Sequence, residues 1–232
     1  HRVAEVVVSG PDVEEVPDPL EVQVPVIREA LDALGIAIVG AAEHEADDVI
    51  GTLATTAEKP VDVVTGDRDL FQLVDDDRDV RIIYTARGMS NLEVVTDDVV
   101  VAKYGVHGAQ YADFAALRGD ASDGLPGVAG IGEKSTATLL QAHSDLAGIL
   151  AAADAGEGMS AGVRAKLDVG RAYLAVAPTV VEVARGLELD VPPTRLRVPD
   201  AATRASAHAL ADRWGLGGAM GRALDALTAV AG

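Results

Sequence analysis

Asp120 and Asp123 stand three residues apart in the run Arg118-Gly-Asp-Ala-Ser-Asp-Gly-Leu-Pro-Gly-Val-Ala-Gly-Ile-Gly-Glu-Lys134, where two carboxylates lead directly into a glycine-rich hairpin. Carboxylates at that spacing can sit beside one hard cation. Gly127, Gly130 and Gly132 allow a tight turn whose amide N–H groups lead into a helix at Glu133, an arrangement suited to an anion. The pairing is that of a metal site joined to a clamp for a polyanionic backbone, and nucleic acid is the natural polyanion. A plain helix–helix connection also uses glycines. It would not require the alternation of apolar residue and glycine across Gly127-Val-Ala-Gly-Ile-Gly132.

Two further acidic groups lie upstream, Glu45-Ala-Asp-Asp48 and Gly66-Asp-Arg-Asp-Leu-Phe-Gln-Leu73. Glu45, Asp47 and Asp48 open a helix, where the macrodipole alone favours acids by about 0.3–1 kcal/mol each. Like charges held together beside a strand end also invite a cation. Asp67 and Asp69 have the same two readings, because Asp67 can cap the helix that carries Leu70, Leu73 and Val74. Asp75-Asp-Asp77 reads as a solvated loop. Magnesium suits an all-oxygen ligand set, and manganese can substitute for it. No histidine or cysteine stands in these motifs, and His44, His107, His143 and His208 are scattered without ligand spacing.

Several elements must position these acids. The recurrence of Val22, Val26, Ile27, Ala30, Leu31 and Leu34 predicts an amphipathic helix stopped by Gly35. Ile36–Val39 reads as a short strand, 45–57 as a helix, and Val61–Thr65 as a strand ending at Gly66. That alternation is the pattern of a parallel sheet covered by helices. Asp67 and Asp69 then fall beyond the carboxyl end of a strand, where open α/β sheets place ligands. Val80–Tyr84 is a third strand, and Leu92–Val95 its hairpin partner across Gly88. Helices are expected near 97–104, 108–117, 133–142, 144–153, 160–176 and 201–230. The division expected is an α/β core over 1–96 and a helical region over 97–232, with the helix-hairpin-helix at about 108–143. Residues 1–19 read as an irregular leading segment.

In order and in spelling, the three acidic motifs and the Gly-Asp-x-Ser-Asp-x-x-Pro-Gly-Val-x-Gly-Ile-Gly-x-Lys run resemble the bacterial and phage 5′ nucleases. This flap endonuclease family also supplies the N-terminal domain of bacterial DNA polymerase I. The resemblance implies a PIN-like α/β core and a helix-three-turn-helix region. It implies that Glu45, Asp47, Asp48, Asp67, Asp69, Asp120 and Asp123 are the catalytic carboxylates and hold two Mg²⁺ or Mn²⁺ ions, with Asp67, Asp69, Asp120 and Asp123 at the second position. Two such ions about 4 Å apart activate a water and stabilise the leaving oxygen of a phosphodiester. The hairpin residues Gly127, Gly130, Ile131 and Gly132, together with Lys134, are expected to grip the DNA backbone. Carbonyls of Val128 and Ile131 are expected to hold a K⁺ ion. His1-Arg2 resembles the end of the Tyr-Lys-x-His-Arg segment of the family's helical arch, which makes Arg2 a DNA contact. The expected substrate is branched or flapped DNA, cut in the 5′-3′ direction at flaps and RNA primers. The alternative is a DNA-structure-binding module of the same descent with impaired chemistry.

Composition limits these readings. The net charge of −18 argues against a large basic footprint on DNA, and metal neutralisation of the acidic clusters accounts for part of the excess. The absence of cysteine excludes disulfides and thiolate-held zinc and fits a reducing cytoplasm. No uninterrupted apolar run reaches membrane-spanning length. A monomer without membrane attachment is expected. The chain begins at His1, and the family's first strand, with its Leu-x-Asp-Gly ending, a second aspartate-bearing strand end and most of the arch, has no counterpart in it. The expectation is a 5′ nuclease whose first metal position is under-ligated in these 232 residues.

Overall fold

The computed structural model describes residues 18–230. The first half of the chain runs α1 (Asp18–Glu21), α2 (Val24–Ala33), α3 (Ala46–Thr56), β1 (Val61–Thr65), two 3₁₀ turns (Asp69–Leu73 and Asp76–Arg78), β2 (Val80–Tyr84) and β3 (Glu93–Val95). The second half runs α4 (Asp97–Tyr104), a 3₁₀ turn (Gly108–Gln110), α5 (Tyr111–Arg118), α6 (Glu133–His143), α7 (Leu146–Ala155), α8 (Ala161–Leu174) and α9 (Pro178–Val181). It closes with α10 (Ala201–Trp214) and α11 (Gly218–Val230). Described residues up to Val39 and from Asp190 onward form one compact unit, and Gly40–Leu189 forms the other.

In the Gly40–Leu189 unit the sheet order is β1-β2-β3. β1 and β2 pair in parallel from Val61 opposite Val80 to Thr65 opposite Tyr84, and β3 joins β2 antiparallel with Val95 opposite Ile82. Val63, Val80, Ile82 and Val95 turn inward and are buried, as the period of two requires. Helices complete the core. Phe71, Tyr104, Tyr111 and Phe114 meet edge to face with ring centroids 5.3–5.8 Å apart for the Phe71–Tyr111, Tyr104–Tyr111 and Tyr104–Phe114 pairs. Leu139, Leu140, Ile149 and Leu167 extend this core along α6, α7 and α8.

In the other unit α10 and α11 fold against each other through Ala207, Leu210, Ala211, Met220 and Leu224, with Ala30, Ala33 and Leu34 of the α2 region packed on that cluster. α10 and α11 correct the single helix expected over 201–230. Gly215 and Gly217 hold φ of +66° and +56°, a left-handed backbone that ends one helix before the next begins. Ile36–Val39, expected as a strand, forms none. Among the described residues it has no partner strand, and without a ladder an apolar run of four residues remains irregular. The sheet is therefore mixed, with its parallel pair at β1 and β2. Among the described residues no helix is long and apolar enough to cross a membrane.

Candidate metal centre and hairpin

The end of β1 delivers the first acids. The Asp67 N–H donates to Thr65 Oγ1 at 3.0 Å, and the Asp67 carboxylate accepts from the Asp69 N–H at 2.9 Å, so Asp67 fastens the start of the 3₁₀ turn. Asp69 begins that turn half-buried, followed by the fully packed Leu70 and Phe71. Gln72 is buried as well. Its side-chain amide donates to the Asp69 carbonyl at 2.9 Å and to the Val181 carbonyl at 2.8 Å, while its oxygen accepts from the Val183 N–H at 3.1 Å.

Asp120 and Asp123 come from the loop between α5 and α6. An antiparallel bridge joins Asp120 to Leu125, with the Leu125 N–H donating to the Asp120 carbonyl at 2.7 Å, and Asp123 sits at the exposed tip of the turn this closes. Gly119 (φ +89°) and Gly127 (φ +66°) form the neck of the loop. A Cβ on Gly127 would lie 2.4 Å from the Arg118 carbonyl oxygen, and one on Gly119 would lie 2.7 Å from the Gly127 nitrogen. Only glycine fits on either side of that crossing.

Carboxylate oxygens of Asp69, Asp120 and Asp123 all lie within 4.8 Å of one another. Glu45, Asp47, Asp48, Asp67, Asp69 and Asp123 line one cleft of about 430 Å³, closed on its far side by Thr179–Val183. The clusters separated in sequence thus share one cavity. Asp69 is pushed up to about 8, first by burial and then by a hydrogen bond and repulsion from Asp123 and by the charges of Asp67 and Asp120. Asp47 is raised for the same reasons, burial first and then Asp67, Glu45, Asp48 and Asp123. Burial works against ionisation of Asp120, but the Ser122 hydroxyl at 2.5 Å, the Ser122 N–H at 3.1 Å and the charges of Arg118 and Arg68 hold its carboxyl below the ordinary value. Arg118 donates to it at 2.7 Å.

Asp48 has a second task. Its Oδ1 accepts from the Ala184 N–H at 2.7 Å, and its Oδ2 lies 3.2 Å from His44 Nδ1 and 3.4 Å from the Glu45 N–H. The Ala184 bond leads the causes that hold Asp48 below its ordinary value, although burial opposes it. Gly51 has no side chain where a Cβ would stand 2.7 Å from the Ala184 carbonyl oxygen, so the backbone at 183–184 lies directly on α3. The segment Thr179–Val183, which walls the cleft, and Gln72, which is bonded to it at Val181 and Val183, went unnoticed in the sequence. A lone buried-type glutamine in Asp-Leu-Phe-Gln-Leu was the available signal; Thr179–Val183 has none, because its place is set by tertiary contacts.

Along the hairpin the alternation resolves into two faces. Val128 and Ile131 are buried in the main core, while Gly130, Gly132 and Lys134 are exposed. Gly130 needs its positive φ of +78°. Gly132 is different: at φ −97° it is the extended N-cap of α6, and a Cβ there would meet nothing within 4 Å. The turn is closed by the Ile131 N–H donating to the Val128 carbonyl at 2.9 Å. Tyr173 of α8 secures its base, accepting from the Gly127 N–H at 3.3 Å and donating to the Ala116 carbonyl at 2.8 Å. Arg2, expected as a DNA contact, lies outside the described residues.

Family models match this chain twice. Residues 12–105 match the 5′-3′ exonuclease, N-terminal resolvase-like domain, and residues 106–204 match the 5′-3′ exonuclease, C-terminal SAM fold. A 5′-3′ exonuclease of Streptomyces coelicolor is 56% identical over 231 residues, which cover 99% of this chain and 76% of that protein. DNA polymerase I of Mycobacterium bovis is 47% identical over 145 residues, 61% of this chain and 16% of that protein. Among solved structures, T5 5′-exonuclease with bound zinc has a TM-score of 0.50 at 15% identity, covering 79% of this chain and 60% of its own, a likeness of fold. The chain spans about three fifths of that structure. With both domain models matched in order and more than half of its residues shared with a curated relative across nearly its whole length, the chain belongs to the 5′-3′ exonuclease family of nucleases.

Proposed function

We propose that this protein is a metal-dependent 5′-3′ exonuclease and flap endonuclease that hydrolyses phosphodiesters at 5′ flaps and RNA primers of branched DNA during replication and repair, in the cytoplasm and as a monomer. The observation that carries this reading is the convergence of Asp69, Asp120 and Asp123 within 4.8 Å. The donors are all hard oxygens, and Asp69 is pushed up to about 8, by burial first and then by Asp123, Asp67 and Asp120. Both features fit a divalent cation, Mg²⁺ or Mn²⁺. Asp67, Asp69, Asp120 and Asp123 would hold one ion, and Glu45, Asp47 and Asp48, which line the same cleft, would contribute to the other. When bound, such ions supply an activated water and stabilise the charge on the leaving 3′ oxygen.

The chain's own residues do the rest. Arg118 and Ser122 keep Asp120 ionised and fix its orientation. The hydrogen bond between Asp69 and Asp123 sets these two carboxyls side by side in the cleft. The division of labour we assign is an acidic cleft built by residues before 97 and a helical DNA-binding region after it, with the helix-hairpin-helix at about 108–143. The exposed Gly130, Gly132 and Lys134 lie against the duplex backbone, with N–H groups at the start of α6 facing phosphate. A K⁺ ion at the hairpin would use the Ile131 carbonyl and the second lone pair of the Val128 carbonyl.

The test is a 5′-labelled flap assay in Mg²⁺, with Mn²⁺-dependent melting as a parallel readout. Asp120→Asn with Asp123→Asn should abolish both cleavage and the metal-induced rise in melting temperature. A double variant that still melts higher with Mn²⁺ would refute the metal assignment. Flap binding by the parent chain without any cleavage would leave the structure-binding module as the better description.

A further inference from the structure

Lys166, on the exposed face of α8, reaches across to the hairpin: its Nζ donates to the Gly130 carbonyl at 2.9 Å. Its side chain lies where a residue other than glycine at 130 would place its own, with Cε and Nζ each 3.0 Å from that Cβ position. The anchorage of α8 is firm. Leu167 is fully buried beside Lys166, Gly170 lets the helix approach Val128 of the hairpin with a Cβ position only 3.1 Å from a Val128 methyl, and Tyr173 binds the hairpin base. Among the described residues no carboxylate pairs with Lys166, whereas Arg171 of the same helix is taken up by Asp154 and Asp168. An ammonium has three N–H donors, and the Gly130 carbonyl uses one. Two donors therefore remain at the exposed lip of the turn, in a molecule whose net charge of −18 makes an unpaired lysine there a scarce attraction for phosphate.

We propose that Lys166 is a backbone-phosphate contact that extends the hairpin's duplex-binding surface onto α8, with the Gly130 carbonyl holding the ammonium in position. This rests on the reading of the hairpin as a DNA clamp. The substrate class is duplex DNA recognised through its phosphodiester backbone, without base readout.

The experiment is equilibrium binding of the full chain to a fluorescent branched duplex in Ca²⁺, across a salt series, for the parent, Lys166→Ala, Lys166→Arg and Lys134→Ala. Losing one phosphate contact should weaken binding about 3- to 10-fold at low salt and flatten the slope of log K against log salt by about 0.9. Lys166→Ala should show both effects, and Lys166→Arg should restore most of the affinity. Unchanged melting temperatures would show that the change is in binding, since the side chain is exposed. If Lys166→Ala binds with the parent's affinity and slope while Lys134→Ala binds more weakly, the inference is wrong and the hairpin reading stands. If neither lysine matters, the hairpin reading falls and takes the inference with it.

Discussion

A carboxyl that titrates near 8 makes Asp69 the residue at which pH, metal and stability meet. Its folded value lies above the ordinary 3.8, so the folded chain keeps a proton that the unfolded chain releases. By linkage the metal-free protein is most stable, as far as this group is concerned, below pH 4, loses stability as pH rises from about 4, and stops losing it above about 8. Melting in EDTA should therefore fall between pH 5 and 8, and the Asp69→Asn variant should lack that slope. Mn²⁺ should reverse the trend, since metal displaces the proton and binds more tightly as pH rises. A metal affinity independent of pH over this range would remove Asp69 from the ligand set. Gln72 is the second residue to examine: Gln72→Leu leaves the Val183 N–H and two carbonyls without their partners, at a cost of roughly 1–3 kcal/mol. Cleavage should drop with it, because the cleft wall at Thr179–Val183 loses its anchor; equal activity in an equally stable variant would show the wall to be dispensable.

At the scale of elements, periodicity made most of the α/β part legible. β1, β2 and α4 stand where alternation and capping put them, and α3 begins at the acids that open it. What could not be read has physical causes. Ile36–Val39 has strand composition but no neighbour to pair with among the described residues, and pairing is not a local property. The break between α10 and α11 was spelled by Gly215 and Gly217, two glycines close together in a helical pattern. Of the candidate site, all seven acids were legible in number and order, and six of them line one cleft with Asp120 beside it. The far wall was not, since Val181 and Val183 are held by Gln72, and the next residue, Ala184, by Asp48, across more than a hundred residues of sequence. The glycines of the hairpin differ in what they permit. Gly132→Ala should be tolerated within about 0.5 kcal/mol, as an open extended position allows. Gly130→Val, at positive φ and in the path of Lys166, should destabilise by roughly 1–3 kcal/mol and weaken duplex binding. Equal effects at the two positions in melting and binding would contradict this distinction.

For the molecule as a whole, acidity is the dominant fact: a chain of net charge −18 must approach a polyanion. Divalent ions should then govern binding as well as chemistry. Ca²⁺ in place of EDTA is expected to raise branched-duplex affinity at least ~10-fold in the parent, and far less in Asp120→Asn/Asp123→Asn, because the repulsion of the cleft would be relieved only where ions are held. Equal affinity in EDTA and Ca²⁺ would mean that the acidic cleft does not face DNA. The crossing of Gly119 and Gly127 gives the molecule a further property. The loop that carries Asp120 and Asp123 and the hairpin that carries Gly130 touch backbone to backbone at this neck, with no side chain between them to adjust their separation. On the reading proposed above, a hand on the duplex and a blade on the strand would be mounted on the same rivet and would form a gauge: the number of nucleotides between the point gripped and the bond cut would be set by this neck, and sequence changes elsewhere would alter how fast the protein cuts while leaving where it cuts unchanged.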